Sequence, residues 1–235
     1  MKNLLKSIKF KFALSFVLLT LFISITLVVL SINESTRIVK VEAYEKLSLY
    51  VSKNAEAFDH QILSIEQNNQ MLVDFIAQSF DVSQIKDRDA YIESYKKILS
   101  PVVQSMAENN LTSKSAYVFF LPELTRQPKS IWFADLNFDQ KVELQEEFSK
   151  AYFNGDRIEK EWFYKPIDEG KAIWTNPYMG TVEADKTIQY TSYTSPVYID
   201  GQLIAVVGTD FFVNDITSVV SKIKLYETGY AYLMD

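Results

Sequence analysis

Residues 187–210 read TIQYTSYTSPVYIDGQLIAVVGTD. Two runs rich in β-branched and aromatic residues meet at Asp200-Gly201, a dipeptide suited to the positive φ values of a tight hairpin turn. The pattern predicts strands over Thr187–Tyr198 and Gln202–Asp210. Leu203 to Val207 is continuously apolar, so the second strand should be central and covered on both faces. Pro196 cannot donate to a ladder, and predicts a bulge or an edge in the first strand.

Working upstream, Lys171–Thr175, Ser130–Ala134 and Ala116–Leu121 read as three further strands, the last two separated by Pro122 and Pro128. Gln140 to Phe153 reads as an inserted helix. Tyr91 to Met106 carries helical spacing with Pro101 inside it, predicting a kink or a restart at a first turn. Before it, apolar or small residues recur at Leu47, Val51, Ala55, Phe58, Ile62, Ile65, Leu72 and Ile76, which predicts a long amphipathic helix reaching to near Phe80. Asn69 takes the one slot of that stripe where an apolar residue is expected. It reads either as a register-fixing polar residue of a coiled coil or as a plain surface position. Downstream, Asn214 to Leu225 reads as a helix, and Gly229 to Met234 as the opening of another strand, so the chain is expected to be part of a longer protein.

Phe12 to Ile32 is 21 residues without a charge, enough at about 1.5 Å per residue to cross a hydrocarbon core. A cleavable signal would have a shorter apolar region ending in small residues, so an uncleaved membrane helix is expected. Lys2, Lys6, Lys9 and Lys11 precede it, whereas the charges just after it are balanced. The positive-inside bias therefore predicts a cytoplasmic N-terminus, with residues from about 33 facing outward.

Over 235 residues the net charge is −6, and the four leading lysines leave the remainder more acidic still. That body lacks the basic stripe that phosphate-backbone binding needs, so nucleic acid is not an expected partner. Hydrophobic residues make up 48% and aromatics 14%, ample for a packed core. Without cysteine there is no disulfide, zinc ribbon or thiol nucleophile. The single histidine, His60, falls on the long helix, and the six glycines form no phosphate loop. No cofactor, metal or catalytic constellation is expected.

Five segments in order, Glu161-Trp162-Phe163, Trp174-Thr175-Asn176-Pro177-Tyr178, Tyr193-Thr194-Ser195-Pro196-Val197, Val207-Gly208-Thr209-Asp210-Phe211 and Thr228-Gly229-Tyr230-Ala231-Tyr232-Leu233, carry a family pattern. With the order of elements, they make the chain resemble the double-Cache sensor domain of bacterial chemoreceptors, histidine kinases and diguanylate cyclases. The resemblance implies an α+β fold: a transmembrane helix (12–32) after a short cytoplasmic N-terminus (1–11), a long stalk helix (33–80), and a PAS-like antiparallel five-stranded module. That module is membrane-distal (81–212) and holds the ligand pocket, and a linker helix with the first strand of a membrane-proximal module follows (213–235). The output it favours is a methyl-accepting chemoreceptor, with histidine kinase and diguanylate cyclase as alternatives.

In the amino-acid-binding members an Arg two positions before the Trp grips the ligand carboxylate, and an Asp ending the last strand takes its ammonium. Lys160 stands at the Arg position and Asp210 matches the Asp. Tyr178 matches a pocket Tyr, while Gly180 replaces the Asp that follows it. The ligand sites implied are Asp210, Trp162, Tyr178, Lys160 and Tyr193, for an amino acid, amine, organic acid or purine. From the residues alone, Lys160 reads equally as a solvated charge and Asp210 as a cap on the following helix. Aromatics around the strands suit a small pocket able to cage an ammonium. Stalk helices of this kind pair, so a homodimer is expected. A rival class is a membrane-anchored extracellular hydrolase using an acidic pair, such as two of Asp135, Asp139 and Glu143, or Asp156 with Glu159. A structural anchor without a pocket is a third.

Overall fold

The structure is a computed structural model, and it describes residues 7–110, 114–153, 157–183, 186–223 and 232. The chain divides into two compact units, residues 1–56 and 57–235. Helix α1 (Ile8–Ser79) runs without a break through the expected membrane and stalk segments. Its apolar start is long and apolar enough to cross a membrane, and none of that span is buried.

Within the second unit, α1 buries Ile65, Asn69, Leu72 and Ile76, spaced by four, three and four residues as one helical face requires. A 3₁₀ turn over Val82–Asp87 leads into α2 (Arg88–Asn109), which continues through Pro101. Pro101 and Lys97 both lie on its exposed face, where water can take the carbonyl that a proline cannot bond, so the helix does not restart there.

Seven strands follow among the described residues, all paired antiparallel: β1 (Ser115–Phe120), β2 (Ser130–Ala134), β3 (Glu143–Leu144), β4 (Ile173–Trp174), β5 (Tyr178–Glu183), β6 (Lys186–Ile199) and β7 (Gln202–Phe212). The sheet order is β3-β2-β1-β7-β6-β4, with β5 on the N-terminal half of β6. The five expected strands are present, and β3 and β5 are additional. β6 and β7 form the expected hairpin, with Asp200 at φ 50° and Gly201 at φ 78°. β7 is central, and its apolar run is buried on both faces. The pairing irregularity falls at Val197/Tyr198, next to Pro196.

The helix expected over 140–153 is not formed. The stretch holds β3 and one helical turn, α3 (Lys150–Phe153). The reason is local: Asp135 accepts hydrogen bonds from the amides of Asp139 (3.0 Å) and Gln140 (2.8 Å), and Phe138 and Gln140 take positive φ. The Gln145 amide is drawn to the Trp132 carbonyl, extending the sheet. Helix α4 (Glu161–Glu169) precedes β4 and ends on Gly170, whose φ of 65° suits a left-handed cap. After β7, α5 spans Val213–Lys222. The strand expected from Gly229 lies outside the described residues.

The sheet divides the second unit into two apolar regions. On one face Ala116, Val118 and Phe120 of β1 pack with Val207 of β7 under α1 and α2, whose Leu72, Ile76, Leu99 and Val103 are 0–1% exposed. On the other face Tyr117, Phe119 and Val206 meet Trp162 and Phe163 of α4. The period of two along each strand sends alternate side chains to one face or the other.

Candidate ligand-binding site

The second face opens into a cavity of about 580 Å³. Its walls are aromatic: Phe119 and Trp162 stand edge to face at 4.8 Å, and Phe148 stacks on Tyr152 at 4.2 Å. Ile158 and Met179, both exposed, line it as well.

Its polar floor follows from strand register. Tyr117 pairs with Gly208, and Gly208 with Thr194. Two positions along, on the same face, Asp210 pairs with Ser192 and has Ser115 on its other side. Asp210 therefore lies between two hydroxyls: Ser115 Oγ donates to Oδ2 at 2.9 Å and Ser192 Oγ to Oδ1 at 2.7 Å. Trp132 Nε1 donates in turn to Ser115 Oγ at 3.2 Å, and Tyr178 Oη meets Ser192 Oγ at 2.8 Å.

Asp210 is 5% exposed, and among the described residues no cation pairs with it. Burial raises its carboxyl to about 6, against donation from Ser192, Ser115 and Trp132, which favours the charged form. The reading of Asp210 as a helix cap is not realised. α5 starts three residues later, and its N-cap residue, Phe212, makes no side-chain cap bond. Burial, and then the charge of Asp210, hold the Tyr178 phenol well above its usual range, so it is neutral.

Four of the five expected site residues line this cavity: Asp210, Trp162, Tyr178 and Lys160. Lys160 is not a solvated charge. It is 4% exposed, at the end of a 3₁₀ turn (Ile158–Lys160), with Nζ 5.0 Å from the centre of the Tyr152 ring. Tyr193 does not line the cavity. Ser192 and Thr194 lie on the cavity side of the sheet, so Tyr193 between them points to the opposite face, where its ring lies 5.1 Å from that of Trp174. Gly180 is on the wall, and the Tyr190 ring fills the space a side chain there would need, 2.3 Å from an ideal Cβ.

Sequence reasoning missed Ser115, Tyr117, Phe119 and Trp132, and weighed neither Ser192 nor Tyr152. The signal was present as alternation: Ser115-x-Tyr117-x-Phe119 and Gly208-x-Asp210 each supply one face of a strand. Of the proposed acidic pairs, Asp135 holds the Asp139 and Gln140 amides, and Asp210 is the one carboxylate among the described cavity residues. His60 is exposed on α1.

Asn69 is neither a surface residue nor a coiled-coil polar position. It is fully buried against β6, accepting from Ser195 Oγ at 2.6 Å and donating from Nδ2 to the Tyr193 carbonyl at 3.4 Å. Nearby, Trp174 Nε1 donates to Glu66 of α1 at 2.8 Å.

A family profile, the methyl-accepting chemotaxis protein-like first PDC sensor domain, matches residues 99–218, just over half of the chain. The chain belongs to this family. The match spans α2 to α5 and so contains the whole cavity floor. No curated protein matches the chain. Among solved structures, the periplasmic sensory domain of the Campylobacter jejuni chemoreceptor Tlp1 is similar at 15% identity, with 75% of this chain and 64% of that one covered and a TM-score of 0.52. The ligand-binding domain of C. jejuni Tlp3 in complex with L-norvaline is similar at 16% identity over 78% and 63%, TM-score 0.53. The extracellular domain of a protein described as a histidine kinase, soHK1S-Z6, is similar at 18% over 75% and 62%, TM-score 0.54. At these identities the likeness is one of fold, and this sensor domain spans a little under two thirds of each of those solved domains.

Proposed function

We propose that the chain is the sensing end of a membrane receptor that binds a small solute carrying an ammonium group, with Asp210 as the anchor. The observation that carries the proposal is a buried carboxylate on a cavity floor, fixed by hydroxyl donors and without a cationic partner among the described residues. An ionised group withdrawn from water in this way is costly alone and strongly attracts a cation that completes it. Trp162 gives the ligand apolar and cation–π surface, and Lys160 can attract a carboxylate as a point charge, without the planar fork of Arg. Amino acids and amines are therefore the leading classes, and the Tlp3 complex with L-norvaline supports the former.

In this proposal the N-terminus is cytoplasmic, the sensor module lies outside the membrane and α1 carries the signal. Signalling is then a shift between two states of the sensor module, and a ligand moves that balance only by its differential affinity for them. Leu47, Val51 and Phe58, which precede the buried Ile65, are partly or wholly exposed and would pair in a homodimer. No catalytic step is part of the proposal. The family match supports a methyl-accepting chemoreceptor output, and the soHK1S-Z6 likeness supports histidine kinase as the second reading.

The test is a thermal-shift screen of the full chain in detergent against amino acids, amines, organic acids and purines, beside Asp210→Ala. A saturable rise with amines or amino acids, lost in Asp210→Ala, is expected, since binding to the folded state alone stabilises it. A rise that survives in Asp210→Ala would move the anchor elsewhere.

A further inference from the structure

One buried polar atom of a cavity-lining residue is unaccounted for by the anchor. Tyr117 is 2% exposed and lines the cavity, yet among the described residues its Oη has no hydrogen-bond partner. The Ser192 and Thr194 hydroxyls are close enough to temper the rise of its phenol, but neither meets hydrogen-bond geometry with it. Buried hydroxyls are ordinarily paired, and an orphan costs the folded protein its lost hydration.

The orphan is held in place. Tyr117 pairs across the sheet with Gly208, and an ideal Cβ on Gly208 would stand 2.4 Å from both Cζ and Oη of the tyrosine. The missing side chain of Gly208 thus makes the berth for the phenol head. Trp162, edge to face at 5.3 Å, and Phe119 at 5.5 Å fix the ring from above. Asp210 is two positions from Gly208 on the same face of β7, a diagonal neighbour of Tyr117, and its charge helps keep the phenol neutral.

We infer that Tyr117 is a ligand-contact residue whose phenol oxygen accepts the third hydrogen of a primary ammonium held by Asp210, so the cavity selects primary amines over their N-methylated forms. This rests on the anchor proposed above. A primary ammonium offers three N–H donors, and the two Asp210 oxygens, each with one hydroxyl already bound, keep acceptor capacity for two of them. Tyr117 Oη supplies the third acceptor, and the ligand gives that oxygen a hydrogen-bond donor. A trimethylammonium offers no donor to any of the three.

The experiment compares wild type, Tyr117→Phe and Asp210→Asn as full chains in detergent, titrated with L-isoleucine, phenethylamine and N,N,N-trimethylphenethylammonium. Tyr117→Phe deletes one atom and keeps the ring. The expected result is a roughly ten- to hundredfold weaker Kd for the primary amines. The preference for phenethylamine over its trimethyl form should narrow by the same factor. Without ligand, Tyr117→Phe should melt at or above the wild-type temperature, because it removes an unpaired hydroxyl. Unchanged Kd values in Tyr117→Phe with binding lost in Asp210→Asn would overturn the Tyr117 contact and leave the anchor standing. Binding unaffected by either substitution, or absent from the wild type, would overturn both. A lowered ligand-free melting temperature in Tyr117→Phe would mean that the hydroxyl holds the fold together, and would also overturn the inference.

Discussion

Replacing Asp210 with Asn should make the ligand-free protein more stable at neutral pH. The folded-state carboxyl sits at about 6 against an ordinary 3.8. Between those values the folded protein keeps a proton that the unfolded chain releases. The stability contributed by the neutral carboxyl is therefore complete below pH 3.8 and lost as pH rises through 6. Two units amount to about 3 kcal/mol. Asn keeps the size and can serve both serine hydroxyls, and it has no charge to desolvate. The stability gap between Asp210→Asn and wild type should widen by about 2–3 kcal/mol from pH 4 to pH 7.5, or roughly 4–12 °C in melting temperature for a chain of this size. Trp132, Trp162 and Trp174 are the only tryptophans and all lie in the sensor module, so their fluorescence reports its unfolding alone. A gap that stays constant across that pH range would refute the burial argument. The same substitution should abolish amine binding, so the residue would be kept for function at a cost in stability.

The affinity of the full chain for phenethylamine, measured by calorimetry, should be flat above pH 7 and fall about tenfold per unit below pH 6, as a proton displaces the ammonium from Asp210 while the amine itself stays charged. Gly208→Ala should cost about 1–3 kcal/mol in denaturation by forcing the buried Tyr117 ring aside, and should weaken amine binding as well. Asn69→Leu removes a fully buried partner and leaves the Tyr193 carbonyl and Ser195 hydroxyl without it. It should cost about 1–3 kcal/mol of stability, while the affinity for phenethylamine changes less than twofold.

What was legible in the sequence follows the range of the physics. The β6–β7 hairpin could be read because its turn chemistry and its alternation are both local, and Asp200 and Gly201 adopt the positive φ that their types favour. Asp210 stood out because a carboxylate at the end of an apolar strand is conspicuous. Residues 140–153 were misread because their backbone answers to Asp135, upstream of the segment, and to the edge of β2, neither of which a helical period registers. β5 was missed because Tyr178–Glu183, with a glycine inside, has little strand character of its own and exists by pairing with β6. Tyr193 was assigned to the site on aromatic character and motif, although the parity of Ser192, Thr194 and Asp210 already placed it on the other face. Asn69 was visible as an exception in its stripe, but its partner lies more than a hundred residues away.

β6 connects these facts. Its even-numbered residues Ser192 and Thr194 lie on the cavity side of the sheet, where Ser192 bonds both Asp210 and Tyr178. Its odd-numbered residues face α1, where Ser195 and the Tyr193 carbonyl bond Asn69. A strand cannot shift one of these sets and leave the other in place, because consecutive side chains share one backbone. Apolar packing alone would let α1 slide over the sheet at little directional cost, whereas a fully buried amide bonded to two fixed groups defines a single register. The polar residue that breaks the apolar stripe of α1 is therefore where the helix is referenced to the strand that carries the ligand anchor's hydroxyl. A leucine there would keep the core and remove the reference.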